Sequence, residues 1–403
     1  MIDTGDTAWV LTATTLVLFM TLPGLGLFYA GLVQTKNVLS ALMQCISIAC
    51  AMSVLWFVAA YSIAFAEGTG FFGGLGKALL GGVARGAVYG TTHIPESVFF
   101  MFQMTFAIIT PALIVGAYVE RIKFGAVLLF SGLWLLIVYS PVAHWVWGGG
   151  WLAQMGVLDF AGGIVVHVTA GVSAITIAWM LGSRRGFPAE VKPPHAPWMV
   201  MVGASMLWVG WFGFNAGSAL ASGADAGMAM LVTHLSAATA SLTWTAIEWL
   251  RFGRPSLVGL VTGTIAGLAT VTPASGYIGP IGGVILGLAS GFVCYWGVVF
   301  IKRVVKIDDA LDVLAVHGFG GALGTILTAL LAADFMTGVG LSRSVPEQFW
   351  VQIVSVVSAA VWAIVATVIL VKITQALVGL RVSEEAELAG LDQSSHGESG
   401  YNP

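Results

Sequence analysis

Two histidines are the residues of this chain that are best suited, by their type and position, to a chemical role. His167 and His317 lie in the apolar segments Asp159-Phe-Ala-Gly-Gly-Ile-Val-Val-His167 and Asp312-Val-Leu-Ala-Val-His317. An ionisable side chain inside a membrane-spanning segment is costly, so it is a functional candidate by default. A single buried histidine is more often a packing residue, but a pair could share a proton between ring nitrogens and form a neutral, polar lining. Such a lining suits a small hydrogen-bonding solute better than a hydrated ion.

A carboxylate and an aromatic side chain paired with a hydroxyl are the next candidates. Asp159 stands at the start of a predicted span, where it can accept backbone N–H groups and complement the helix dipole. Its negative field would also lower the cost of bringing a cation to the outer mouth. Trp147 and Ser218 each end a predicted span on the same side, and together they could hold a small cation by cation–π attraction, worth about 0.5 to 2 kcal/mol, and a hydrogen bond. Taken alone, Trp147 is equally typical of an interfacial anchor.

Two phenylalanines could form a dry constriction below that level. Phe106 and Phe214 could stack across a pore, and hydrophobic gates of this kind exclude hydrated ions by dewetting. The alternative interpretation is that they are ordinary core side chains among the 22 phenylalanines.

The remaining histidines and the cysteines indicate no further site. His93 and His144 are expected to be solvated near the outer surface, and His234 is expected to pack away from the pore. The three cysteines all lie in apolar runs, so we expect small buried residues rather than disulfides or metal ligands: Cys45, Cys50 and Cys294.

Membrane-spanning helices must position these residues. Of 403 residues, 58% are hydrophobic and 9% are charged, whereas a soluble domain carries about 25% charged residues. A soluble globular fold is therefore excluded, and the net charge of -3, with no basic patch, excludes nucleic acid as a partner. Apolar runs longer than about 18 residues can cross a hydrocarbon core of roughly 30 Å. They predict eleven spans, at about 8–33, 38–66, 98–120, 123–147, 162–182, 198–221, 224–250, 256–274, 277–301, 313–334 and 347–378.

The distribution of basic residues predicts the orientation of these spans. With the N-terminus outside, thirteen of the sixteen basic residues fall on the inner side, and only Lys77, Arg85 and Arg343 lie outside. The predicted fold is an all-α integral membrane protein with an inverted repeat of five plus five spans and a C-terminal helix. Residues 1–378 form the membrane domain, and 379–403 form a cytoplasmic tail. The two candidate histidines then lie in the fifth and tenth spans, at matching positions of the two halves. Three prolines are expected to interrupt or end spans: Pro23, Pro111 and Pro273.

Several of these segments together resemble the ammonium transporter family, and its bacterial members in particular. The likeness runs from the first span to the tail. Its motifs are Leu18-Phe-Met-Thr-Leu-Pro-Gly, Glu120-Arg-Ile-Lys-Phe, Asp159-Phe-Ala-Gly-Gly-Ile-Val-Val-His167, Trp211-Phe-Gly-Phe-Asn-Ala-Gly-Ser218, Thr272-Pro-Ala-Ser-Gly-Tyr-Ile-Gly and Asp312-Val-Leu-Ala-Val-His317-Gly.

The resemblance implies an ammonium transporter or channel, not an enzyme, in the lipid bilayer of a bacterial inner membrane. It implies a homotrimer with one pore in each subunit and no cofactor or metal, which carries ammonium or ammonia and accepts methylammonium as an analogue. The resemblance also implies roles for particular residues. It implies an outer recruitment site at Trp147, Ser218 and Phe106, bordered by Phe102 and Trp211, with an essential supporting carboxylate at Asp159. Below this site it implies a gate at Phe106 and Phe214, a twin-histidine pair at His167 and His317, and a lower pore wall at Leu25, Phe28, Tyr29 and Val313.

The C-terminal tail carries a second implication of the resemblance. The segment from Gly379 to Tyr401 is similar to the cytoplasmic tail of bacterial members, and this implies docking of a PII-type nitrogen-signalling protein. One rival function is a membrane sensor that binds ammonium and signals through this tail, although only about 25 residues follow the last predicted span. An intramembrane hydrolase is a second rival, but the sequence has no His-Glu-x-x-His or Gly-x-Ser-x-Gly motif.

Overall fold

The computed structural model describes residues 1–401, whose secondary structure is helical apart from three isolated β-bridges. Nine of the helices in this part of the chain are long and apolar enough to cross a membrane. They are Thr4–Leu32, Thr35–Phe65, Glu96–Tyr118, Phe124–Gln154, Gly163–Leu181, Pro197–Gly217, Pro280–Val305, Leu314–Leu331 and Val345–Val378. The prediction of an all-helical membrane fold is therefore confirmed.

Two further helices occupy the regions of the predicted seventh and eighth spans. Ala224–Phe252 has 29 residues and is less apolar, and Leu257–Val271 has only 15. They pack side by side, and the Ser236 hydroxyl donates to the Gly267 carbonyl at 2.9 Å. Small and hydroxyl-bearing side chains replace large apolar ones at such contacts because they let backbones approach closely. The count of eleven spans stays a prediction.

The prolines affect their helices in different ways. Pro23 lies in a widened π-helical stretch, Met20–Leu25, within the first helix, and Pro273 follows the end of the helix Leu257–Val271. The expectation for Pro111 was wrong, because the helix Glu96–Tyr118 continues through it. Membrane helices tolerate proline where neighbouring helices and Ser or Thr side chains satisfy the freed backbone groups. The adjacent Thr110 hydroxyl donates to the backbone of this helix.

The cysteines are all free in the structure. Cys45 and Cys294 are buried as expected, but Cys50 is exposed, so that part of the prediction was wrong. An apolar run indicates that a residue lies within the membrane, but it does not indicate whether the residue faces the protein or its surroundings.

A buried ion cluster joins the loops at the predicted cytoplasmic face. The Arg184 guanidinium donates to both carboxylate oxygens of Asp308, at 2.9 and 2.8 Å, and to Glu120 at 2.8 Å. Arg121 donates to the Asp308 carbonyl at 2.6 Å. Burial alone would raise the pKa of Asp308, but the hydrogen bonds and charge of Arg184, with the charge of Arg121, hold this pKa below its ordinary value. The cluster ties together three loops that the sequence separates widely.

Removing the central cation of this cluster is expected to destabilise the protein. Arg184→Ala would remove the closest cation from two buried carboxylates, which costs about 3 to 5 kcal/mol, so the apparent Tm of the detergent-solubilised protein should fall clearly. Because the folded-state pKa of Asp308 is depressed, its stabilisation is present above the unfolded pKa of about 3.9 and is lost as the pH falls through the folded value. The difference in Tm between wild type and Arg184→Ala should therefore be largest at neutral pH and become smaller in strong acid. The neighbouring exposed Arg185→Ala is the control, and equal effects of the two variants would contradict the prediction.

The tail folds back onto the same face. The Asp392 carboxylate accepts the Ser40 backbone N–H at 2.8 Å at the start of the second long helix. The Leu391 backbone N–H donates to the Asn37 side chain at 2.8 Å. Asn37 in turn donates to Glu120 of the ion cluster at 2.9 Å. Tail and loops therefore form one hydrogen-bonded layer.

Candidate functional site

The two candidate histidines meet in the interior of the helix bundle. The Nδ1 atoms of His167 and His317 lie 3.2 Å apart, and the ring centroids are 5.2 Å apart with an angle of 27° between the planes. Each neutral imidazole carries a single N–H, so one Nδ1 donates and the other accepts. The pair therefore shares one proton along this contact. Among residues 1–401, the buried His167 Nε2 has no hydrogen-bond partner, and it is free to bind a solute.

Widened helical turns and close backbone contacts bring the two rings together. Both histidines lie in π-helical stretches, Gly163–Val168 and Leu314–Phe319, and π-turns in α-helices are frequent at functional sites. A Cβ atom at Gly171 would overlap the backbone of Gly318. Only glycine at this position lets the two helices approach so closely.

Asp159 holds the start of the helix that carries His167. Its Oδ1 accepts the backbone N–H groups of Gly162 and Gly163 at 3.0 and 2.6 Å. Its Oδ2 accepts those of Ile164 and Val165 at 2.8 and 3.2 Å. The carboxylate thus satisfies four N–H donors that a helix start leaves without partners.

A second carboxylate accepts one backbone N–H at the start of the helix that carries the other histidine, and the sequence reasoning missed it. Asp309 Oδ2 accepts the Leu314 backbone N–H at 2.7 Å, and the residue is buried. Asp309 precedes His317 by eight residues, as Asp159 precedes His167. This equal spacing was the signal that could have revealed it.

An aromatic column lies above the histidines. The Phe106 and Phe214 ring centroids are 4.2 Å apart, and the Trp147 ring meets Phe106 edge-on at 5.9 Å. Phe102 meets the other side of Phe106 at 5.0 Å. The Ser218 hydroxyl donates to the Phe214 carbonyl at 2.8 Å. The rings of Trp147, Phe102, Phe106 and Phe214 thus form one cluster, and the Ser218 hydroxyl is bonded within its own helix.

Trp211 lies deeper than expected. Its ring stacks on His167 at 5.6 Å with an angle of 25° between the planes, and its indole N–H donates to the Thr272 hydroxyl at 2.9 Å. Trp211 therefore belongs to the level of the histidine pair rather than to the border of the outer site. The reason is that it precedes Phe214 by almost one helical turn and so lies farther from the helix end.

The histidine pair faces a narrow, largely apolar cavity. Its free space is close to that of a single water molecule. Leu25, Phe28 and Tyr29 line it as expected, together with residues that the sequence could not single out among many apolar ones: Met20, Ile109, Leu113, Val166, Leu207 and Ile265. Val313 does not line it but lies against Gly116.

A second, wider cavity continues from the pair toward the predicted cytoplasmic face. His317, Phe28 and Tyr29 line its inner end. Farther out it is lined by Arg184, Lys192 and an ion pair in which Lys302 contacts Asp312 at 2.7 Å. The narrow section thus opens into a polar mouth.

The remaining histidines lie outside this pore. The expectation that His144 is solvated was wrong, because only 2% of it is exposed. The segment 66–74 folds over it, and both ring nitrogens contact backbone carbonyls. His234 lies away from the pore, as predicted, stacked against Trp208. Within residues 1–401, no group of three or more His, Cys, Asp or Glu side chains could hold a metal ion.

Comparisons with known proteins identify the family of the chain. The model of the Ammonium Transporter Family matches residues 8–401. The ammonium transporter of Bacillus subtilis is 44% identical over 400 residues, which is 98% of each chain. A solved structure described as a sensor Amt protein has a TM-score of 0.91 at 28% identity and 98% coverage of both chains. Mep2 of Saccharomyces cerevisiae has a TM-score of 0.87 at 34% identity, over 95% of this chain and 88% of its own.

The family model covers nearly the whole chain, and so does the B. subtilis relative. The chain and these relatives also share a helical fold and a similar length. The chain therefore belongs to the ammonium transporter family.

Proposed function

We propose that this protein recruits ammonium at its outer face, removes a proton from it, and conducts ammonia through the cavity of the histidine pair. Recruitment uses the Trp147 ring and the Ser218 hydroxyl. The closely packed, tilted rings of Phe106 and Phe214 form the gate at which the ion loses its remaining water. Ammonia then moves past His167 and His317 into the inner cavity.

The observation that carries this proposal is the narrow cavity whose lining includes the two imidazoles, while its other polar side chains, Tyr29 and Trp211, donate to groups of neighbouring helices. The residues that line it include no carboxylate, so a bare cation would cross an apolar section without a counter-charge, which is very costly. Neutral ammonia is far cheaper to desolvate and still forms hydrogen bonds with imidazole nitrogens. The histidines therefore lower the barrier for the neutral species and not for alkali cations.

Reconstitution tests the function directly. The purified chain is incorporated into liposomes on a solid-supported membrane and is given pulses of ammonium, methylammonium and potassium. Transport predicts a response to the first two and none to potassium. A current indicates that the proton crosses as well, whereas an internal pH rise without current indicates that ammonia crosses alone. A wild-type protein that gives neither signal would disprove the transport function.

The aromatic face of Trp147 should set the apparent affinity. Trp147→Leu keeps much of the bulk but removes the cation–π attraction of about 0.5 to 2 kcal/mol, so the half-saturating ammonium concentration should rise about twofold to thirtyfold. The maximal rate should change little, because the pore below is intact. Trp350→Ala, at an exposed tryptophan on the same predicted side, is the control. An unchanged half-saturating concentration in Trp147→Leu would exclude a recruiting role.

A sensor is the second candidate function, and one observation favours it. The neighbour described as a sensor Amt protein matches 98% of this chain. A sensor would bind ammonium and change its tail without sustained flux. The liposome assay separates the two functions, because a sensor gives at most a small, non-sustained response.

The assembly and partner belong to the same proposal. The protein acts as a homotrimer in a bacterial inner membrane, with the tail 379–403 inside, where a PII-type protein binds it. The hydrogen-bonded layer of tail and loops supplies an ordered surface for such a partner. Co-purification with a PII-type protein should be lost when 379–403 is deleted, and unchanged binding would contradict tail docking.

A further inference from the structure

A buried histidine lies at the base of the turn that carries Trp147. His144 is in the last turn of the helix Ser140–Val146. Its Nδ1 is 3.0 Å from the Ala64 carbonyl oxygen, and its Nε2 is 2.8 Å from the Thr69 carbonyl oxygen. Both ring nitrogens therefore face groups that only accept hydrogen bonds.

This arrangement fits one protonation state of the ring. A neutral imidazole donates from a single nitrogen, so its other nitrogen would point a lone pair at a carbonyl oxygen at close range. An imidazolium donates from both nitrogens and satisfies both carbonyls. In a site that excludes water, an unsatisfied contact of this kind is costly.

Neighbouring hydrogen bonds join the same two segments. Three successive carbonyls, those of Thr69, Gly70 and Phe71, receive donors from the segment 144–151. Besides His144, the Trp151 backbone N–H donates to Gly70 at 2.9 Å, and the Trp145 indole N–H donates to Phe71 at 2.6 Å. The three contacts bind residues 69–71 to the segment 144–151, and one of them is made by the His144 ring.

The same histidine also shapes the turn beyond it. Its backbone carbonyl accepts the N–H groups of Gly148 and Gly150 at 3.1 and 2.9 Å. A Cβ atom at Gly148 would overlap the Ala64 carbonyl oxygen, so the turn fits only against the segment that the His144 ring holds. Trp147 lies within this turn, and its indole N–H donates to the Asp159 carbonyl at 2.9 Å.

We propose that His144 is a positively charged positioning residue that fastens the outer segment 66–74 to the Trp147 turn and thereby orients the Trp147 ring over Phe106. This inference rests on the proposed recruitment of ammonium at Trp147. The two carbonyl oxygens stabilise the charge of His144 but leave its net value at +1.

The titratable side chains on the elements packed against His144 do not take the place of these carbonyls as its hydrogen-bond partners. The preceding helix, Tyr61–Phe65, carries Tyr61, whose hydroxyl donates to Glu96. Lys77, which follows the outer segment 66–74, also pairs with Glu96. Glu67 lies on the segment itself and is exposed. Asp159, reached through Trp147, is engaged by four backbone N–H groups. The partners of the imidazolium are therefore the backbone carbonyls of Ala64 and Thr69.

The protonation state can be measured on the wild-type protein. In membranes, protein labelled with ¹⁵N-histidine and ¹³C-alanine allows the His144 signals to be assigned through their contact with the Ala64 carbonyl carbon. The proposal predicts that both ring nitrogens carry protons at neutral pH. A neutral tautomer, with one unprotonated nitrogen, would overturn it.

Transport kinetics test the positioning role. His144→Gln can donate to only one of the two carbonyls and is uncharged, so the half-saturating ammonium concentration should rise about threefold to tenfold with little change in maximal rate. His93→Gln, at an exposed histidine on the same predicted side, should leave both constants unchanged. Equal half-saturation in His144→Gln and wild type would overturn the positioning role.

These outcomes differ from failure of the proposed function. If the wild type gives no ammonium response at all, transport itself is wrong, whatever the histidine signals show. If the wild type transports and His144 is neutral, only the present inference fails. Should His144→Gln not fold, the spectroscopic measurement on the wild type still decides the protonation state.

Discussion

Replacing both pore histidines by alanine is expected to reduce the selectivity of transport for ammonium over potassium by at least about tenfold. His167→Ala with His317→Ala removes both imidazoles from the narrow cavity and widens it. Ammonia then loses its polar partners, while a partly hydrated alkali ion gains space. Each lost hydrogen bond is worth about 1 kcal/mol, so two of them suffice for the expected change. Currents evoked by ammonium and potassium pulses on a solid-supported membrane measure it.

A third membrane histidine provides the control for this experiment. His234 is remote from the pore and stacks on Trp208, so His234→Ala should keep the wild-type selectivity. If the double variant also keeps wild-type flux and selectivity, the histidine pair is structural and the proposed conduction path is wrong. Single variants add a further test, because either one breaks the shared Nδ1 contact of 3.2 Å.

Asp159→Ala is expected to abolish transport and to destabilise the fold by about 4 kcal/mol or more. Four backbone N–H groups lose their acceptor in this variant, and each buried donor left unsatisfied costs about 1 to 3 kcal/mol. The start of the helix would then shift, and His167 with it. Both the ammonium-evoked current and the apparent Tm in detergent should fall.

The variant Asp159→Asn distinguishes the loss of hydrogen bonds at the helix start from the loss of the carboxylate charge. Asp159→Asn can still accept from two of the donors but turns an NH₂ group toward the others, so its stability should lie between those of wild type and Asp159→Ala. The control is Asp225→Asn, at an exposed acidic residue in the first turn of another helix, which should change neither quantity. A fully active and stable Asp159→Ala would show that the four hydrogen bonds are dispensable.

Much of the fold could be predicted from hydrophobic runs. Within residues 1–401, nine helices meet the length and hydropathy expected of membrane spans, because a helix that crosses the hydrocarbon core needs about 20 apolar residues. The helix Leu257–Val271 is the instructive exception. It has only 15 residues and packs through glycine and hydroxyl groups, so its role depends on its neighbours more than on its own hydropathy.

The two wrong predictions of burial share one cause. Cys50 and His144 were each assigned an environment from the run or loop in which they occur, and each has the opposite burial. Sequence patterns indicate depth along the membrane normal. They do not indicate which neighbour covers a side chain, because that depends on contacts between distant segments.

The pore residues show both what could be predicted from the sequence and what could not. The types and spacing of His167, His317 and Asp159 could be identified in advance because ionisable residues are rare in apolar segments. Trp211 was placed one level too high, and Asp309 was missed although its spacing matches that of Asp159. The apolar lining of the cavity could not be separated from other apolar residues at all.

The sequence by itself therefore determined the membrane class, the helical spans, and the two histidines as the residues most worth explaining. Only the tertiary structure decided that their Nδ1 atoms meet at 3.2 Å, that Trp211 stacks beside them, and that His144 is enclosed by carbonyl oxygens. The physical reason is that hydropathy acts along one segment at a time, whereas a hydrogen bond between residues 150 positions apart exists only when packing brings two helices into contact.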